Sequence, residues 1–585
     1  MFKKIIITSV LASSAFWLAL LPVAAHAEMS IEQANQIIEQ CESDEQLDAN
    51  KVNEAIKLLA KKAEKGDAAT QVQLAAIYEG QVCVNDEDNK QALYWYTKAA
   101  TLGDANAQTN LARLYAQTQA FDKSIEWYNK AAAQGNADAY YRLGIMHTAG
   151  QGVTKNEQAG EEWFTKYATA EGASGAGFAY VAELYLNGYE VDKNVDQAIK
   201  WYKLAVNKGY NAAQYNIGEI YANSDWSGYD EKEATKWFSQ WAEKGEAADK
   251  VSLGVMYRDG NILKQNYQQA MSWFLKAEVL GDTEAINNVA WLYQEGKGVA
   301  QDYNQAFHRY QKTAALGDPY GQYQMGWFYE NGLGVEQNDS EAWVWYKKAA
   351  DQGDADGQYK LGWFYDNGRA VKSDSKKAFA WIARAALKGH ADAETYLGWM
   401  YQEGRGVEAN DKKAVVWYRK AAMQKNVTGE YNLALMYANG NGVPQNDTKA
   451  NLWYILSASQ GDADAQANLA LRYENGEGFE IDHKKAIALY RKSAAQDNSL
   501  AENNLALKYE KGEGVKKSAV VAHALYNLAA NNKKEVEENA PENLAGIASR
   551  MRKDDIAVAE QLALEMKKPD NLLNALDQFV KSNHS

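Results

Sequence analysis

The amino-acid sequence predicts an all-α solenoid built from about thirteen repeats of two helices each. The first observation is a 36-residue period, at which a tyrosine recurs ten times without a slip from Tyr185 to Tyr509. The second is a set of Asn and Asp residues at the same spacing, and the third is a glycine near the end of most units. The chain of 585 residues has only five prolines and no Pro/Gly/Ser-rich linker, which favours one continuous repeat array over separate domains.

Residues 1–27 have the pattern of an export signal. Lys3 and Lys4 precede an apolar stretch, and Ala25-His26-Ala27 matches the small-x-small pattern that signal peptidase cleaves. No Cys follows this site, so a lipoprotein-type anchor is not expected. No other stretch reaches the ~20 apolar residues needed to span a bilayer. We therefore predict a cleaved signal peptide and a periplasmic or secreted protein, with an uncleaved membrane anchor as the alternative.

The composition narrows the classes of partner. The formal net charge is −15, from 62 Lys+Arg against 77 Asp+Glu, which argues against nucleic acid or anionic lipid as the main partner. Only Cys41 and Cys83 are present. In an oxidising compartment such a pair predicts a disulfide, with two buried thiols as the alternative.

The first helix of each unit, called helix A, precedes the repeated tyrosine, which is numbered position 0. Apolar residues at 0, −1 and −4 and a small residue at −3 cluster on one face at 100° per residue. We expect the small residue, such as Gly326 or Gly398, to let another backbone approach closely. A Gly-x-Gly-Val turn then ends the helix, where positive φ is favoured.

The second helix, called helix B, has a predicted cap at its start and a glycine at its end. The expected N-caps, 36 residues apart, are Asn194, Asp230, Asn266, Asp302, Asn338, Asp374, Asn410, Asn446 and Asp482. The glycines expected to be left-handed at the end of helix B are Gly209, Gly245, Gly281, Gly317, Gly353, Gly389 and Gly461. Because each unit leaves an apolar face that only its neighbours can cover, the units are expected to stack.

These repeats resemble the Sel-1-like repeat family, a relative of the tetratricopeptide repeats. Residues 397–407 read Leu-Gly-Trp-Met-Tyr-Gln-Glu-Gly-Arg-Gly-Val, followed by Ala414 and by Trp-Tyr-Arg-Lys-Ala-Ala at 417–422. The resemblance implies a right-handed superhelix whose A helices line a concave groove, and a scaffold or adaptor role in binding other proteins. Some exported members bind host immunoglobulin A, and a cysteine-rich branch is described as having β-lactamase activity; cysteine pairs are absent from the repeats beyond Cys83.

The predicted organisation is a signal peptide at 1–27, an N-terminal helical cap at 28–66, repeats at 67–531 and a C-terminal helical cap at 532–585. Ser30-Ile31-Glu32-Gln33 fits a capping box that opens the first helix. Two units depart from the turn pattern. Residues 116–121 lack it in the second unit, and residues 223–229 replace it in the fifth.

The eighteen tryptophans separate into groups by their place in the repeat. Ten lie on helix B and are interpreted as packing between helices: Trp95, Trp127, Trp163, Trp201, Trp237, Trp273, Trp345, Trp381, Trp417 and Trp453. Four others, at position −2 of consecutive units, are Trp291, Trp327, Trp363 and Trp399. Position −2 lies about 160° from the tyrosine and is predicted to face the groove. The alternative is that these rings wedge between adjacent A helices.

The composition of position −2 supports a groove-facing residue, because Arg113, Glu183 and Glu219 occupy it in other units. Tyr323 and Tyr359 lie four residues before two of the tryptophans, on nearly the same face. Asn residues at −5 border that face, and in related tetratricopeptide grooves such an Asn can hold a peptide backbone; a solvated polar flank is the alternative. They are Asn216, Asn288, Asn432, Asn468 and Asn504.

No catalytic, metal or cofactor residues are predicted. The seven His residues show no metal-ligand spacing. One Ser-x-x-Lys, beginning at Ser373, falls in a turn where Asp374 is already assigned as a cap. The predicted function is therefore an exported monomeric scaffold that binds an extended peptide or protein segment. A cell-wall glycan binder or a host immunoglobulin binder is the alternative, and a β-lactamase-like hydrolase is the remote one.

Overall fold

The computed structural model describes residues 29–41, 49–80, 89–188, 191–533 and 537–582. Helices are the only regular secondary structure within these ranges. None of the helices described is long and apolar enough to cross a membrane. The predicted signal peptide and Cys83 lie outside the described residues. Of Cys41 only the backbone is described, at the end of the first helix, so the disulfide stays a prediction.

Thirty-one helices occur in the described residues. Their bounds are α1 (Ile31–Cys41), α2 (Ala49–Ala63), α3 (Ala68–Glu79), α4 (Asn89–Thr101), α5 (Ala105–Gln117), α6 (Phe121–Ala132), α7 (Ala137–Ala149), α8 (Glu157–Thr169), α9 (Gly175–Asn187), α10 (Val195–Asn207), α11 (Ala212–Ala222), α12 (Glu231–Lys244), α13 (Ala247–Asp259), α14 (Tyr267–Val279), α15 (Thr283–Glu295), α16 (Tyr303–Ala315), α17 (Pro319–Asn331), α18 (Asp339–Asp351), α19 (Ala355–Asn367), α20 (Ser375–Leu387), α21 (Ala391–Glu403), α22 (Asp411–Met423), α23 (Val427–Asn439), α24 (Asp447–Ser459), α25 (Ala463–Asn475), α26 (His483–Ala494), α27 (Ser499–Lys511), α28 (Ala519–Ala530), α29 (Ala540–Ala548), α30 (Lys553–Met566) and α31 (Leu572–Ser582).

The predicted fold class, an all-α solenoid of two-helix repeats, is confirmed. Between α3 and α28 the odd-numbered helices are A helices and the even-numbered ones are B helices, which makes thirteen pairs. Contacts divide the described residues into two compact units, one formed by those up to 249 together with 259–265 and the other by 250–258 and those from 266 onward. Within each unit the helices of a repeat pack along each other, and most also contact the next repeat.

The predicted capping box at the start of α1 is present. The main-chain N–H of Ser30 donates to Oε1 of Gln33 at 2.8 Å, and the N–H of Gln33 donates back to Oγ of Ser30 at 3.2 Å. Each of the two residues therefore satisfies a donor that the first turn of a helix leaves free.

An aromatic ring of helix B packs against the small residue of helix A within the same repeat. A Cβ atom added to Gly326 would lie 2.5 Å from the ring of Tyr346, and one added to Gly398 would lie 2.7 Å from the ring of Tyr418. Both rings are fully buried. At these two glycines our expectation that position −3 admits another backbone is wrong, because the small residue makes room for a ring. In the ninth repeat Ile382 replaces the ring, and a Cβ added to Gly362 would also lie 3.1 Å from the carbonyl oxygen of Ala378.

The nine predicted N-caps of helix B are confirmed. In every one the side-chain oxygen accepts a hydrogen bond from a main-chain N–H two or three residues later. The main-chain N–H of each cap also donates to the carbonyl of the repeat's tyrosine, as between Asn410 and Tyr401 at 2.7 Å. The cap thus starts helix B and closes the turn that follows helix A.

Six of the seven glycines predicted at the end of helix B are left-handed, with φ between 82° and 101°. The prediction is wrong for Gly245, whose φ is −81°. Helix α12 has 14 residues where most of the B helices have 13 and ends at Lys244. The chain then leaves Gly245 in an extended conformation, and the N–H of Glu246 donates to Oδ2 of Asp249 at 3.0 Å.

The second glycine of the Gly-x-Gly-Val turn touches helix B of the preceding repeat. Gly406 has φ of 72°, and a Cβ there would lie 2.0 Å from the carbonyl oxygen of Ser375. In the ninth repeat the same place is taken by Ala370, which adopts φ of 58°. A left-handed alanine is strained, since its Cβ crowds the following carbonyl.

We predict that Ala370→Gly raises the free energy of unfolding by about 1 kcal/mol, because the left-handed strain is removed. The matched change Gly406→Ala is expected to lower it by more, because a Cβ meets the backbone of Ser375. Thermal unfolding followed by circular dichroism measures both. If Ala370→Gly lowers the unfolding midpoint, Ala370 is not strained. If Gly406→Ala leaves the midpoint unchanged, the contact with the backbone of Ser375 does not require glycine.

A row of buried side chains at position −7 of helix A joins successive repeats. Nε2 of Gln466 donates to the carbonyl of Ala458 in the preceding helix B at 3.1 Å, and Gln358 makes the same bond to Ala350 at 3.3 Å. Glu394 occupies this position in the tenth repeat and is 3% exposed. Burial raises the pKa of Glu394, although the hydrogen bond from Gln424 opposes the shift.

We predict that Glu394→Gln raises the free energy of unfolding by about 1 kcal/mol at pH 7, because the amide supplies the donor that a carboxylate lacks. Since the folded-state pKa of Glu394 lies above 4.5, the wild type gains stability as the pH falls through that value, and the advantage of the variant shrinks. Urea unfolding at pH 7 and pH 4 tests this. The reverse change Gln358→Glu should show the opposite sign.

Candidate functional site

Position −2 of helix A is accessible in every repeat. None of its thirteen residues is buried: Ala76, Glu183 and Glu219 are exposed and the others are half-exposed. We call the four half-exposed indoles in the second unit the tryptophan row, which consists of Trp291, Trp327, Trp363 and Trp399. A position that is never buried differs from positions −4 and −1, which form the core of each repeat.

Polar side chains connect each A helix of the tryptophan row with the next repeat. On α15, Nδ2 of Asn287 donates to Oδ2 of Asp318, the N-cap of α17, at 2.8 Å. On α19, Nζ of Lys360 donates to Oε2 of Glu330 on α17 at 3.1 Å, and on α21 the hydroxyl of Tyr396 donates to Oδ2 of Asp366 on α19 at 2.7 Å.

Glu330, immediately after the tyrosine of the eighth repeat, collects several donors beside the row. The hydroxyl of Tyr346 donates to Oε2 of Glu330 at 2.6 Å, and Lys360 and Arg369 donate at 3.1 and 3.2 Å. Burial and the carboxylate raise the pKa of Tyr346 well above its usual range, so its hydroxyl remains a donor. Arg369 also forms a two-atom ion pair with Asp339.

Asp366 repeats this arrangement one repeat later. It is 2% exposed, and Nε of Arg405 lies 2.8 Å from both of its carboxylate oxygens. Burial raises the pKa of Tyr396. The hydrogen bond that its hydroxyl donates to the carboxylate of Asp366 raises this pKa further. The cations next to Trp363 and Trp399 are therefore neutralised by acids of the protein itself.

A basic side chain lies over three of the four indole rings. It comes from the residue after the first glycine of the turn that ends helix A in the same repeat, where Leu333 stands instead in the repeat of Trp327. The pairs, with the distance from the cation to the ring centroid, are Lys297–Trp291 at 4.6 Å, Arg369–Trp363 at 5.3 Å and Arg405–Trp399 at 5.7 Å. One face of each of these three rings is thus covered by a cation.

The indole N–H groups of the tryptophan row remain available. Within the described ranges, no protein acceptor bonds to the N–H of any of these four residues. Because the rings are half-exposed and an indole is a donor only, the row presents hydrogen-bond donors to its surroundings.

The two tyrosines predicted for the site lie beside the row and are half-buried. The ring of Tyr359 stacks on His390 with centroids 4.9 Å apart, and burial raises the pKa of Tyr359 to about 12. The ring of Tyr323 packs 5.7 Å from that of Tyr346. These contacts make Tyr359 and Tyr323 neighbours of the row that are already held by other rings.

The predicted Asn residues differ in what their amides can do. Asn288 is 8% exposed, its Nδ2 donates to the carbonyl of Glu284 at 2.9 Å, and its Oδ1 accepts from Arg258. Asn288 is therefore not part of a solvated polar flank, because both Nδ2 and Oδ1 of its amide are hydrogen-bonded inside the protein. Asn432 is half-exposed on α23, as are Asn216, Asn468 and Asn504 on their helices.

The tryptophans of helix B differ in exposure among themselves. Trp95, Trp201 and Trp273 are buried, whereas the other seven are partly exposed, as the tryptophan row is. The ring of Trp201 lies 6.0 Å from that of Phe164 in the preceding helix B, as expected for packing between repeats. A lysine three residues later covers several of the others, as Lys348 covers Trp345 at 3.7 Å.

The Ser-x-x-Lys segment is occupied by turn contacts. Oγ of Ser373 donates to the carbonyl of Asp366 at 3.0 Å, and the side chain of Asp374 accepts from the N–H of Lys377. In the part of the chain that the structure describes, no cluster of three or more His, Cys, Asp or Glu residues is arranged to hold a metal ion.

The comparison with protein families decides the relationship. The model of the Sel1 repeat matches at residues 68–104, 105–136, 137–170, 179–210, 211–246, 251–282, 283–318, 319–354, 355–390, 391–426, 427–462, 463–498 and 499–533. The chain belongs to the Sel1 repeat family. Sel1 repeat solenoids are typically non-catalytic scaffolds for protein–protein interaction. A comparison with curated protein sequences gave no match.

Solved structures of Sel1 repeat proteins are similar to this chain. One is c5321 from uropathogenic Escherichia coli, described as a protective antigen with an SLR fold; it is 27% identical, with 90% of this chain and 97% of that chain covered and a TM-score of 0.51. Another is a Sel1 repeat protein from Oxalobacter formigenes, 28% identical over 56% of this chain and 93% of that one, with a TM-score of 0.48.

The sequence pattern does not predict the ionic groups beside the row. Glu330 and Asp366 occupy position +1, and Arg369 and Arg405 occupy position +4. A signal was present, because position +4 is basic in three of the four repeats that carry a tryptophan at −2. In the three repeats that follow it is Asn441, Glu477 or Glu513.

We predict that Tyr346→Phe lowers the free energy of unfolding by about 2 kcal/mol, because Glu330 loses a buried donor to its charge. The control is Tyr229→Phe, at an exposed ring, which should shift stability by no more than about 0.5 kcal/mol. Urea unfolding measures both. Equal effects would show that the hydroxyl of Tyr346 contributes no special stabilisation.

Proposed function

We propose that this protein is an exported Sel1 repeat scaffold that binds an extended peptide or protein segment along the tryptophan row. One observation carries the proposal: four consecutive A helices each present a half-exposed indole whose N–H has no protein acceptor in the described residues. Indole rings are enriched at protein interfaces because they combine a large apolar area with one hydrogen-bond donor.

The size of the row favours an extended ligand over a compact one. Packed helices lie roughly 8–10 Å apart, so four neighbouring A helices cover roughly 25–30 Å. An extended chain rises about 3.3 Å per residue, so a segment of about eight or nine residues reaches all four indoles. Binding sites repeated along one line also explain why the same residue type recurs in consecutive repeats.

The experiment is a selection of twelve-residue peptides displayed on phage against the protein, followed by measurement of the selected peptides by fluorescence anisotropy. The test variant is Trp327→Ala/Trp363→Ala. Because these side chains are half-exposed, we expect it to keep the helical circular dichroism spectrum and to weaken peptide binding at least tenfold.

The matched control is Glu183→Ala/Glu219→Ala, which changes the same position of helix A in repeats that lack tryptophan. We expect it to bind the selected peptides as the wild type does. If both variants bind equally well, the peptide site lies away from the row. If the tryptophan variant unfolds early, these rings are structural and the proposed site is wrong.

A further inference from the structure

The charges beside the tryptophan row are largely balanced within the protein. Arg369 is paired with Glu330 and Asp339, and Arg405 is paired with Asp366. Lys360 shares the carboxylate of Glu330. Lys297 over Trp291 has no ion pair among the described residues. Beside Trp363 and Trp399 a charged ligand would have to displace the pairs named above, so this part of the face is complementary to a segment without charge.

The hydrogen-bonding groups of the row are one-sided. Each indole N–H can only donate, and in these repeats the amide that could accept a peptide N–H is missing or engaged. Position −5 holds the engaged Asn288, then Gln324, which is 8% exposed, and then Lys360 and Tyr396. The hydroxyls of Tyr323 and Tyr359 beside the row can accept as well as donate, but the four indoles themselves offer no acceptor, so the row holds a ligand through the ligand's own acceptors.

The cations over the rings also disfavour stacking as the mode of recognition. Lys297, Arg369 and Arg405 cover a face of Trp291, Trp363 and Trp399 respectively. A sugar ring stacked on that face would have to displace the cation. The N–H edge needs no displacement, so recognition through the edges of the rings costs less.

Resting on the proposed function, we propose that the segment bound by the tryptophan row is proline-rich and adopts the polyproline II conformation. Proline supplies a carbonyl acceptor, no N–H donor and no charge, which complements a row of uncharged donors. The conformation leaves all its carbonyls solvated and therefore free to accept.

The general spacing of packed helices matches the repeat of this ligand. A polyproline II helix has three residues per turn and a rise of about 3.1 Å, which makes about 9.3 Å per turn. Neighbouring packed helices are roughly 8–10 Å apart. One turn of the ligand therefore passes each A helix, and the same carbonyl of each turn meets successive indole N–H groups.

The test uses fluorescein-labelled oligoproline of twelve residues, about 37 Å long, with a Gly-Ser peptide of equal length as the control ligand. We expect saturable binding of oligoproline only, with an affinity that changes less than threefold between 0.05 and 0.5 M NaCl. Trp327→Phe/Trp363→Phe, which keeps the rings and removes two donors, should weaken binding about tenfold. Glu183→Ala/Glu219→Ala should leave it unchanged.

The outcomes separate this inference from the proposed function. If oligoproline fails to bind while phage-selected peptides bind and are lost in Trp327→Ala/Trp363→Ala, the proline-rich ligand is wrong and the peptide site stands. If oligoproline binds equally to the Phe variant, recognition through the N–H edges is wrong. If neither kind of peptide binds and soluble cell-wall glycan fragments do, both proposals are overturned.

Discussion

The repeat architecture depends on the contact between a buried ring of helix B and a small residue of helix A. At Gly326 and Gly398 even a methyl group would collide with the ring of Tyr346 or Tyr418, so the two helices approach as closely as the ring allows. The apolar residues at −4 and −1 then face the same gap. Since each repeat buries its ring within itself, the remaining surface of the pair is free to pack against neighbours, which is the condition for stacking.

The hydroxyl of the helix B tyrosine connects this core contact to the accessible face of helix A. In the eighth repeat it donates to Glu330, and the same bond recurs from Tyr490 to Glu474 and from Tyr526 to Glu510, each at 2.9 Å. The acid in turn gathers cations from the following repeat, as Glu330 gathers Lys360 and Arg369. In the eighth repeat a buried hydrogen bond thus holds the acid that pairs with the cations next to the tryptophan row.

The face that we propose for ligand binding is formed by the same position of helix A in each repeat, but the residue at that position differs between repeats. Position −2 is accessible in both units, but only in the second does it carry four tryptophans in succession. Glu183 and Glu219 occupy it in the first unit, so the same scaffold presents acids there. Position −2 can vary more than positions −4 and −1 because it is never buried, although Trp327, Trp363 and Trp399 also pack against the core clusters of their repeats.

The sequence alone determined the helices, their caps and the number of repeats, because these features rest on local periodicity and on side chains a few residues apart. It also indicated that position −2 is accessible, since acids and an arginine share it with tryptophan. Only the tertiary structure decided that position −3 accommodates a ring, that Asn288 is engaged by Arg258, and that acids one repeat away neutralise the cations beside the row. Those contacts join residues 20 to 40 positions apart in the chain, and their pairing depends on how neighbouring helices pack.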